Sequence, residues 1–256
     1  MKFSKELGQI FLRDKRYVRK IISSMNIEGK EVLEVGGCRG ELTQYLLKKV
    51  KKLWCVELDS RLVEILSKRF SSFSNLEVIN DDILKIDLSS FKRELVVFGN
   101  ISYHISNKFI RYIITQRKWI KEVYASFQKE FAKKLTAHPG EKAYSFLTCY
   151  IQYFAIPKIL FDIPKQAYWP QPRVDSSFVK IKFLSASLYP VEDEEKLFRV
   201  IKVAFRARRK KIINSLTSLY CKDRIKEVLE ALGINEGERP DYLSLEDYCK
   251  IVNYLG

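Results

Sequence analysis

The sequence predicts an α/β fold in which a Rossmann-like sheet is followed by a small helical domain. Short apolar runs alternate with segments of helical periodicity up to about residue 184, as expected for strand–helix–strand units of a parallel sheet. The first apolar run ends directly in glycines, as at a strand-to-helix turn. After the segment SASLYPVEDEE only helical periodicity remains. We therefore expect two domains, residues 1–184 and 185–256.

The individual elements follow from the spacing of the apolar residues. Residues 15–25 have helical spacing. Four runs predict buried strands: KEVLEVGG, KLWCVELD, NLEVINDDIL and ELVVFGN. The helices between and after them are predicted in ELTQYLLKKV, SRLVEILSKRF and KFIRYIITQR, with Ser60 as the N-cap of the second. WIKEVYASFQKEFAKKLTA predicts a strand and a helix, HPGEKAYSFLTCYIQYFAIPKILFDIP a later helix and strand, and SSFVKIKFL the last strand. Helices are expected on both faces of a parallel sheet.

The charge balance points to a polyanionic partner. The chain has 46 Lys and Arg against 31 Asp and Glu, a net charge of +15. Nucleic acid and an anionic membrane surface both fit that excess. No apolar run approaches the roughly 18 residues of a transmembrane helix, and the first twenty residues do not have the pattern of a signal peptide. We expect a cytoplasmic protein without a membrane partner.

Cysteine and histidine usage predicts neither a metal site nor a disulfide framework. The five cysteines are far apart and form no C-x-x-C pair, and the chain has only two histidines. We expect reduced, mostly buried thiols.

Three features meet at the carboxyl ends of successive predicted strands. Gly36, Gly37 and Gly40 form a turn through which a backbone can approach a ligand. Glu57 ends the next strand, where a carboxylate can accept from ribose hydroxyls, and Asp82 follows the third, where it can accept from an adenine amine. These ends share one crevice in a parallel sheet. The pattern predicts an adenosine-containing ligand, and both NAD and S-adenosylmethionine fit it.

The fourth strand ends in Asn-Ile-Ser-Tyr, residues 100–103. An amide beside an aromatic ring at a sheet edge can accept a hydrogen bond from the amine of a planar base while the ring stacks on it. That arrangement favours a base as the second substrate over a hydride acceptor, and therefore S-adenosylmethionine over NAD.

Several blocks of the sequence, in this order, are similar to those of one enzyme family. They are KELGQIFLRD, LEVGGCRGELT, VELD, FGNISYHIS, QKEFAKKLTAHPGEKAYSFLT, PQPRVDSSFVKI and VAFRARRKKIINSL. With these blocks the chain resembles the small-subunit ribosomal RNA adenine N6,N6-dimethyltransferases over nearly its whole length. The resemblance implies a class I methyltransferase sheet, S-adenosyl-L-methionine as cofactor, and small-subunit rRNA of an immature subunit as substrate.

The resemblance also implies roles for single residues. Those implied to bind the cofactor are Gln9, Ile10, Leu12, Gly36, Glu57, Asp82 and Asn100. Among them, Glu57 would hold the ribose and Asp82 the adenine. Three residues are implied to be catalytic. Asn100 would also orient the target amine, and the rings of Tyr103 and Tyr168 would stack on the flipped base.

Three positions depart from the family pattern. Ile10 replaces a polar residue, so only a backbone contact remains there. Cys38 stands where a middle glycine is usual, and Ser102 replaces the proline of the target-base motif. Since serine does not restrict φ, the loop at residues 100–103 is expected to be less preorganised than in the family.

A basic run near the C-terminus predicts the RNA contacts. The residues expected to bind phosphates are Arg206, Arg208, Arg209, Lys210 and Lys211. We expect a monomeric enzyme that dimethylates adjacent adenines near the 3′ end of small-subunit rRNA. Two alternatives are a related methylase of large-subunit rRNA, and a ribosome-assembly factor whose catalysis is weak or lost.

Overall fold

The computed structural model describes residues 10–256, which form two compact units. The first unit comprises residues up to Ala132 together with Pro157–Phe183, and the second comprises Lys133–Ile156 and Leu184–Gly256. From residue 184 onward the whole chain belongs to the second unit, and the sequence predicts the domain boundary at this position. The segment 133–156, which the sequence prediction assigns to the first domain, packs with the C-terminal helices instead.

The first unit is built on a mixed sheet. The strands are β1 (Phe11–Leu12), β2 (Glu31–Val35), β3 (Lys52–Glu57), β4 (Leu76–Asn80), β5 (Leu95–Asn100), β6 (Ile120–Gln128), β7 (Ala155–Ile163), β8 (Tyr168–Trp169) and β9 (Ser176–Phe183). Seven of them form one sheet in the order β4-β3-β2-β5-β6-β9-β7, and β1 pairs with β8 in a two-stranded ribbon.

Parallel pairing brings the carboxyl ends of the first strands together. β2 pairs in parallel with β3 and β5, β3 with β4, and β5 with β6. The sequence prediction of a parallel sheet is confirmed for these five strands. The exception is β9, which runs antiparallel to β6, so that Ser176 at its start lies opposite Gln128 at the end of β6. β9 therefore begins at the same sheet edge at which β2, β3 and β5 end.

Helices follow the strands as the periodicity predicts. They are α1 (Lys15–Ser24), α2 (Thr43–Leu46), α3 (Ser60–Arg69), α4 (Ser106–Thr115), α5 (Lys129–Thr136), α6 (Phe146–Phe154), α7 (Glu194–Arg206), α8 (Ile212–Ser215), α9 (Lys222–Ala231) and α10 (Leu245–Tyr254).

Two of the helix predictions need correction. The helix predicted over ELTQYLLKKV is regular only for the four residues of α2. The N-cap of α3 is Asp59 and not Ser60, since the Asp59 carboxylate accepts from Arg61 N at 3.1 Å.

The core of the first unit covers both strands and helices. Val18, Ile21 and Ile22 of α1 join one buried cluster with Phe98 and Phe178 of the sheet. Full burial of each such side chain contributes about 1.5–3 kcal/mol. This packing makes the strands a rigid frame, so that the side chains at their carboxyl ends have fixed positions.

The second unit packs its helices around aromatic side chains. The ring of Phe198 on α7 contacts the rings of Tyr150, Tyr153 and Phe154 on α6, with centroids 4.9 to 5.7 Å apart. The pairs with Tyr150 and Tyr153 are edge-to-face, and such pairs contribute about 0.5–1.5 kcal/mol beyond their buried area. These contacts explain why residues 146–154 belong with the C-terminal helices.

Candidate active site

A cavity of about 210 Å³ lies at the carboxyl ends of β2, β3 and β5. Its lining residues are Ile10, Val35, Gly36, Cys38, Val56, Glu57, Leu58, Asp81, Asp82, Ile83, Asn100, Ile101, Ser102, His104 and Ile105. A smaller cavity next to it is bordered by Leu12, Glu34, Gly37 and Glu41, among others. The structure therefore brings Ile10, Gly36, Glu57, Asp82 and Asn100 to one cavity, as the sequence predicts. Gln9 lies outside the described residues.

The loop after β2 is shaped by its glycines. Gly36 has a φ of +76° and donates its N–H to Val56 O at 2.8 Å. A Cβ added to Gly36 would meet no atom within 4 Å, so the backbone here borders open space that a ligand can approach closely. At Gly37 an added Cβ would lie 2.2 Å from Cys55 Sγ, so glycine is required there by packing against β3.

Cys38 takes a backbone conformation that favours glycine. Its φ of +52° lies in the left-handed region, which costs a non-glycine residue roughly 1–2 kcal/mol. The thiol lines the cavity, and burial raises its pKa, as do the nearby carboxylates of Glu57, Glu41 and Glu34.

Glu57 fixes the loop from the neighbouring strand. Its Oε2 accepts from Cys38 N and its Oε1 from Asp59 N, both at 3.0 Å. The side chain is largely buried, and burial raises its pKa, while the backbone donors act in the opposite direction. Each oxygen of this carboxylate retains a further lone pair, with which it can accept from a hydroxyl such as those of a ribose.

Asp82, which is predicted to hold the adenine, lines the cavity after β4. It follows β4 and caps the short 3₁₀ turn at Ile83–Lys85, since its Oδ1 accepts from Leu84 N at 3.0 Å. Asp81 also lines the cavity, and its carboxylate accepts from Asp82 N at 2.7 Å. The turn thus fixes both acids at the mouth of the site.

The end of β5 carries the residue predicted to orient the target amine. Asn100 lies beside Ser126 in the parallel register, and Ile101 N donates to Ser126 O at 3.2 Å. The Asn100 Nδ2 donates to Ile10 O at 3.3 Å. The Ile10 carbonyl thus accepts from Asn100, and a backbone contact between Ile10 and the cofactor stays a prediction. Leu12 is buried and borders the smaller cavity, and it does not line the larger one.

The two predicted stacking aromatics have different surroundings. Tyr103 is half-buried in the turn before α4, and its hydroxyl lies 3.2 Å from Ser176 Oγ. Tyr168 is only 3% exposed and packs in the core cluster. Neither lines the cavity, although Ser102 and His104 on both sides of Tyr103 do. Stacking on a base remains a prediction for both, and for Tyr168 it requires the ring to become accessible.

Sequence reasoning missed Glu34, a buried carboxylate under the glycine loop. It is 2% exposed, and its Oε2 accepts from Thr43 Oγ1 at 2.7 Å. Burial is the main reason that its pKa rises to about 7, and Glu41 and Glu57 raise it further. The sequence contains a sign of it, namely an acidic residue inside the apolar run of β2. A buried strand rarely carries a charged residue unless that residue is paired.

The basic run contains exposed cations and one arginine that is hydrogen-bonded within the second unit. Arg206, Arg209, Lys210 and Lys211 are exposed on the second unit. Arg208 instead donates Nε to Asp241 Oδ2 at 3.0 Å, and its other nitrogens donate to the carbonyls of Lys142 and Glu141. Arg208 is therefore occupied inside the second unit, and its predicted phosphate contact has no support from this arrangement.

Two further observations concern membrane-spanning helices and metal sites. None of the helices in residues 10–256 is both long and apolar enough to span a bilayer. Within the same range, no three His, Cys, Asp or Glu side chains are grouped as metal ligands.

The sheet order, the glycine loop after β2 and the acids that end β3 and follow β4 together define a class I methyltransferase domain. The chain belongs to the ribosomal RNA adenine dimethylase family, which matches it over residues 1–256. The resemblance, the fold class and S-adenosylmethionine dependence predicted from the sequence are thereby confirmed.

Relatives match over nearly their full length. A protein of Fusobacterium nucleatum subsp. nucleatum, a ribosomal RNA small subunit methyltransferase A, is 38% identical over 98% of this chain and 97% of its own. Its namesake from Caldanaerobacter subterraneus subsp. tengcongensis is 35% identical over 100% of this chain and 98% of its own. Among solved structures, a dimethyladenosine transferase from Plasmodium falciparum has a TM-score of 0.83 and 27% identity, covering 94% of this chain and 95% of its own.

Proposed function

We propose that this protein transfers methyl groups from S-adenosylmethionine to N6 of adjacent adenines near the 3′ end of small-subunit rRNA, on an immature subunit. The observation that carries the proposal is the position of Asn100 on the same cavity as Glu57 and Asp82. A group that binds amines therefore shares one space with the groups suited to ribose and adenine. The small-subunit methyltransferases among the relatives support the choice of substrate.

The residues around the cavity fit the cofactor. Glu57 would accept from the ribose hydroxyls and Asp82 from the adenine amine, and the open space at Gly36 leaves room for the methionine end. When bound, S-adenosylmethionine supplies a methyl group that its sulfonium already activates. What remains for the protein is to position and polarise the second substrate.

The adenine amine is a poor nucleophile because its lone pair is delocalised into the ring. The Asn100 amide has its nitrogen directed to Ile10 O, which leaves its oxygen to accept one N6 hydrogen. The carbonyl of Ile101, which lines the same cavity, accepts the other. Two acceptors in these positions favour a pyramidal nitrogen with its lone pair aimed across the cavity. The surplus proton passes to water after transfer.

The target base has to leave its stack before Asn100 can reach it. Tyr103 follows Asn100 by three residues and supplies the stacking ring. Arg206, Arg209, Lys210 and Lys211 position the RNA through its phosphates, which makes binding steeply dependent on salt. We further propose that the protein works in the cytoplasm as a monomer.

The test is to map methyl transfer. The protein is incubated with labelled cofactor and with small subunits lacking the modification, free large-subunit rRNA or DNA, and the label is located by primer extension. We expect label on two adjacent adenines of the small subunit. Label in large-subunit rRNA would favour the related methylase, and no label in any sample would exclude an enzyme.

Asn100→Ala tests the site itself. This variant should bind subunits normally and lose at least about a hundredfold in transfer, a magnitude typical of one lost polar group in a catalytic site. Asn107→Ala, at an exposed position on α4, is the matched control and should behave as the wild type. Unchanged transfer by Asn100→Ala would remove Asn100 from the mechanism.

A further inference from the structure

Three hydroxyl groups meet at the sheet edge beside Asn100, and we call Tyr103, Tyr168 and Ser176 the hydroxyl cluster. The sheet register places Ser176 there, and Tyr103 and Tyr168 approach it from the turn before α4 and from β8. Ser126 pairs with Asn100 on one side and with Phe178 on the other, so these side chains share one face of the sheet. Ser176 precedes Phe178 by two residues and therefore lies on that face as well, at the carboxyl edge.

One bond of the hydroxyl cluster is made in the structure. The Tyr103 hydroxyl and Ser176 Oγ lie 3.2 Å apart, and either group can be the donor. Ser176 is 1% exposed, so water does not compete for its hydroxyl. The ring predicted to stack on the base is therefore held by a buried partner when no RNA is bound.

The third hydroxyl of the cluster is that of Tyr168. Tyr168 is 3% exposed, and within residues 10–256 its hydroxyl makes no hydrogen bond of normal geometry. Ser176 and Ser126 nevertheless lie close enough to lower the pKa of Tyr168, which burial raises to about 12. An unsatisfied buried hydroxyl costs about 1–3 kcal/mol, and few are found in folded proteins. Such a group calls for an explanation.

We propose that Ser176 is a positioning residue which exchanges its tyrosine partner, bonding Tyr103 in the free protein and Tyr168 once Tyr103 stacks on the target base. The inference rests on the proposed function, because it assigns Tyr103 to the base. Without Tyr168, release of Tyr103 would leave Ser176 buried and unpaired. With Tyr168, the number of hydrogen bonds stays constant, so the move onto the base costs little.

The exchange predicts a specific kinetic pattern on unmodified small subunits. Tyr168→Phe removes the second partner of Ser176, and kcat/KM for subunits should fall about fivefold, the effect of one lost hydrogen bond. Affinity for S-adenosylmethionine should stay unchanged. In a Tyr103→Phe background no bond has to be released, so the same Tyr168→Phe change should have no effect on kcat/KM.

Stability measurements on the free protein test the exchange without any activity. Tyr103→Phe alone should be nearly neutral in thermal unfolding, because Ser176 then bonds Tyr168. Tyr168→Phe alone should be neutral or stabilising, because an unpaired hydroxyl is removed. The double variant should lower the unfolding temperature by clearly more than the two single changes added together, because Ser176 has lost both partners. Tyr112→Phe is the control, since its buried hydroxyl donates to Ile86 O at 3.0 Å and its loss should lower stability without changing kcat/KM.

The outcomes separate the two proposals. Additive effects of Tyr103→Phe and Tyr168→Phe on stability would overturn the exchange even if methyl transfer proceeds normally. An equal loss of kcat/KM from Tyr168→Phe in both backgrounds would also overturn it. Absence of methyl transfer by the wild type would overturn the proposed function, whereas non-additive stability would still support the shared partner.

Discussion

The backbone N–H of Cys38 donates a hydrogen bond of 3.0 Å to Oε2 of Glu57. This contact ties the glycine loop after β2 to the end of β3, so one carboxylate shapes the loop and faces the cofactor cavity. A substitution of Glu57 therefore affects the cavity both directly and through the loop.

Glu57→Ala should lower the affinity for S-adenosylmethionine by at least about tenfold, as expected from the loss of a charge-assisted acceptor worth about 1.5–3 kcal/mol. Glu57→Gln keeps one acceptor oxygen and should lose less. Isothermal titration with the cofactor alone measures both, with Glu64→Ala at an exposed position of α3 as control. Equal affinities for the wild type and Glu57→Ala would contradict the assignment.

The left-handed backbone of Cys38 predicts that glycine is the better residue for folding at this position. Cys38→Gly removes the strain of a φ of +52° but also increases the freedom of the unfolded chain, so the net stabilisation should be about 1 kcal/mol or less. Cys38→Ala keeps the Cβ and should gain nothing. Urea unfolding compares the two. A Cys38→Ala variant as stable as Cys38→Gly would show that the thiol, and not the backbone, carries the cost.

Glu34 predicts a pH dependence of stability. Folding raises its pKa from 4.5 to about 7, so the folded protein binds this proton more tightly than the unfolded chain. The free energy of unfolding should therefore fall as the pH rises from 4.5 through 7, by about 3 kcal/mol in total. The groups that face Glu34 are Thr43, Cys55, Glu41 and Glu57.

Glu34→Gln carries no proton to lose, so this contribution should be missing from its pH profile. Chemical unfolding between pH 5 and pH 8 should show the variant gaining on the wild type as the pH rises. The other titrating groups are common to both proteins and largely cancel in the comparison. Parallel profiles would show that Glu34 stays ionised throughout.

The sequence was sufficient for the parts of the site that depend on strand ends. The apolar runs fix where β2, β3 and β5 stop, and the parallel register then brings Gly36, Glu57 and Asn100 together without further information. Asp82 follows for the same reason, because β4 pairs with β3.

The sequence was insufficient wherever a side chain chooses between neighbours that are distant in the chain. Arg208 resembles the other cations of its run, and only the folded second unit shows that Asp241 lies beside it, 33 residues away. Tyr168 likewise resembles any aromatic before a proline, and its burial depends on pairing with Leu12. The packing of residues 133–156 with α7 depends on such contacts as well.

Arg208 and Arg209 form a matched pair that separates folding from RNA binding. Arg208 donates to Asp241, which is 8% exposed, and to two backbone carbonyls, whereas Arg209 is exposed. Arg208→Ala leaves the buried Asp241 without its cation and should cost about 3 kcal/mol of stability. Arg209→Ala should leave stability unchanged and weaken subunit binding, with a salt slope that is shallower by about one. Thermal unfolding and binding at several salt concentrations measure both. If Arg208→Ala folds as stably as the wild type and weakens binding as Arg209→Ala does, then Arg208 belongs to the RNA surface after all.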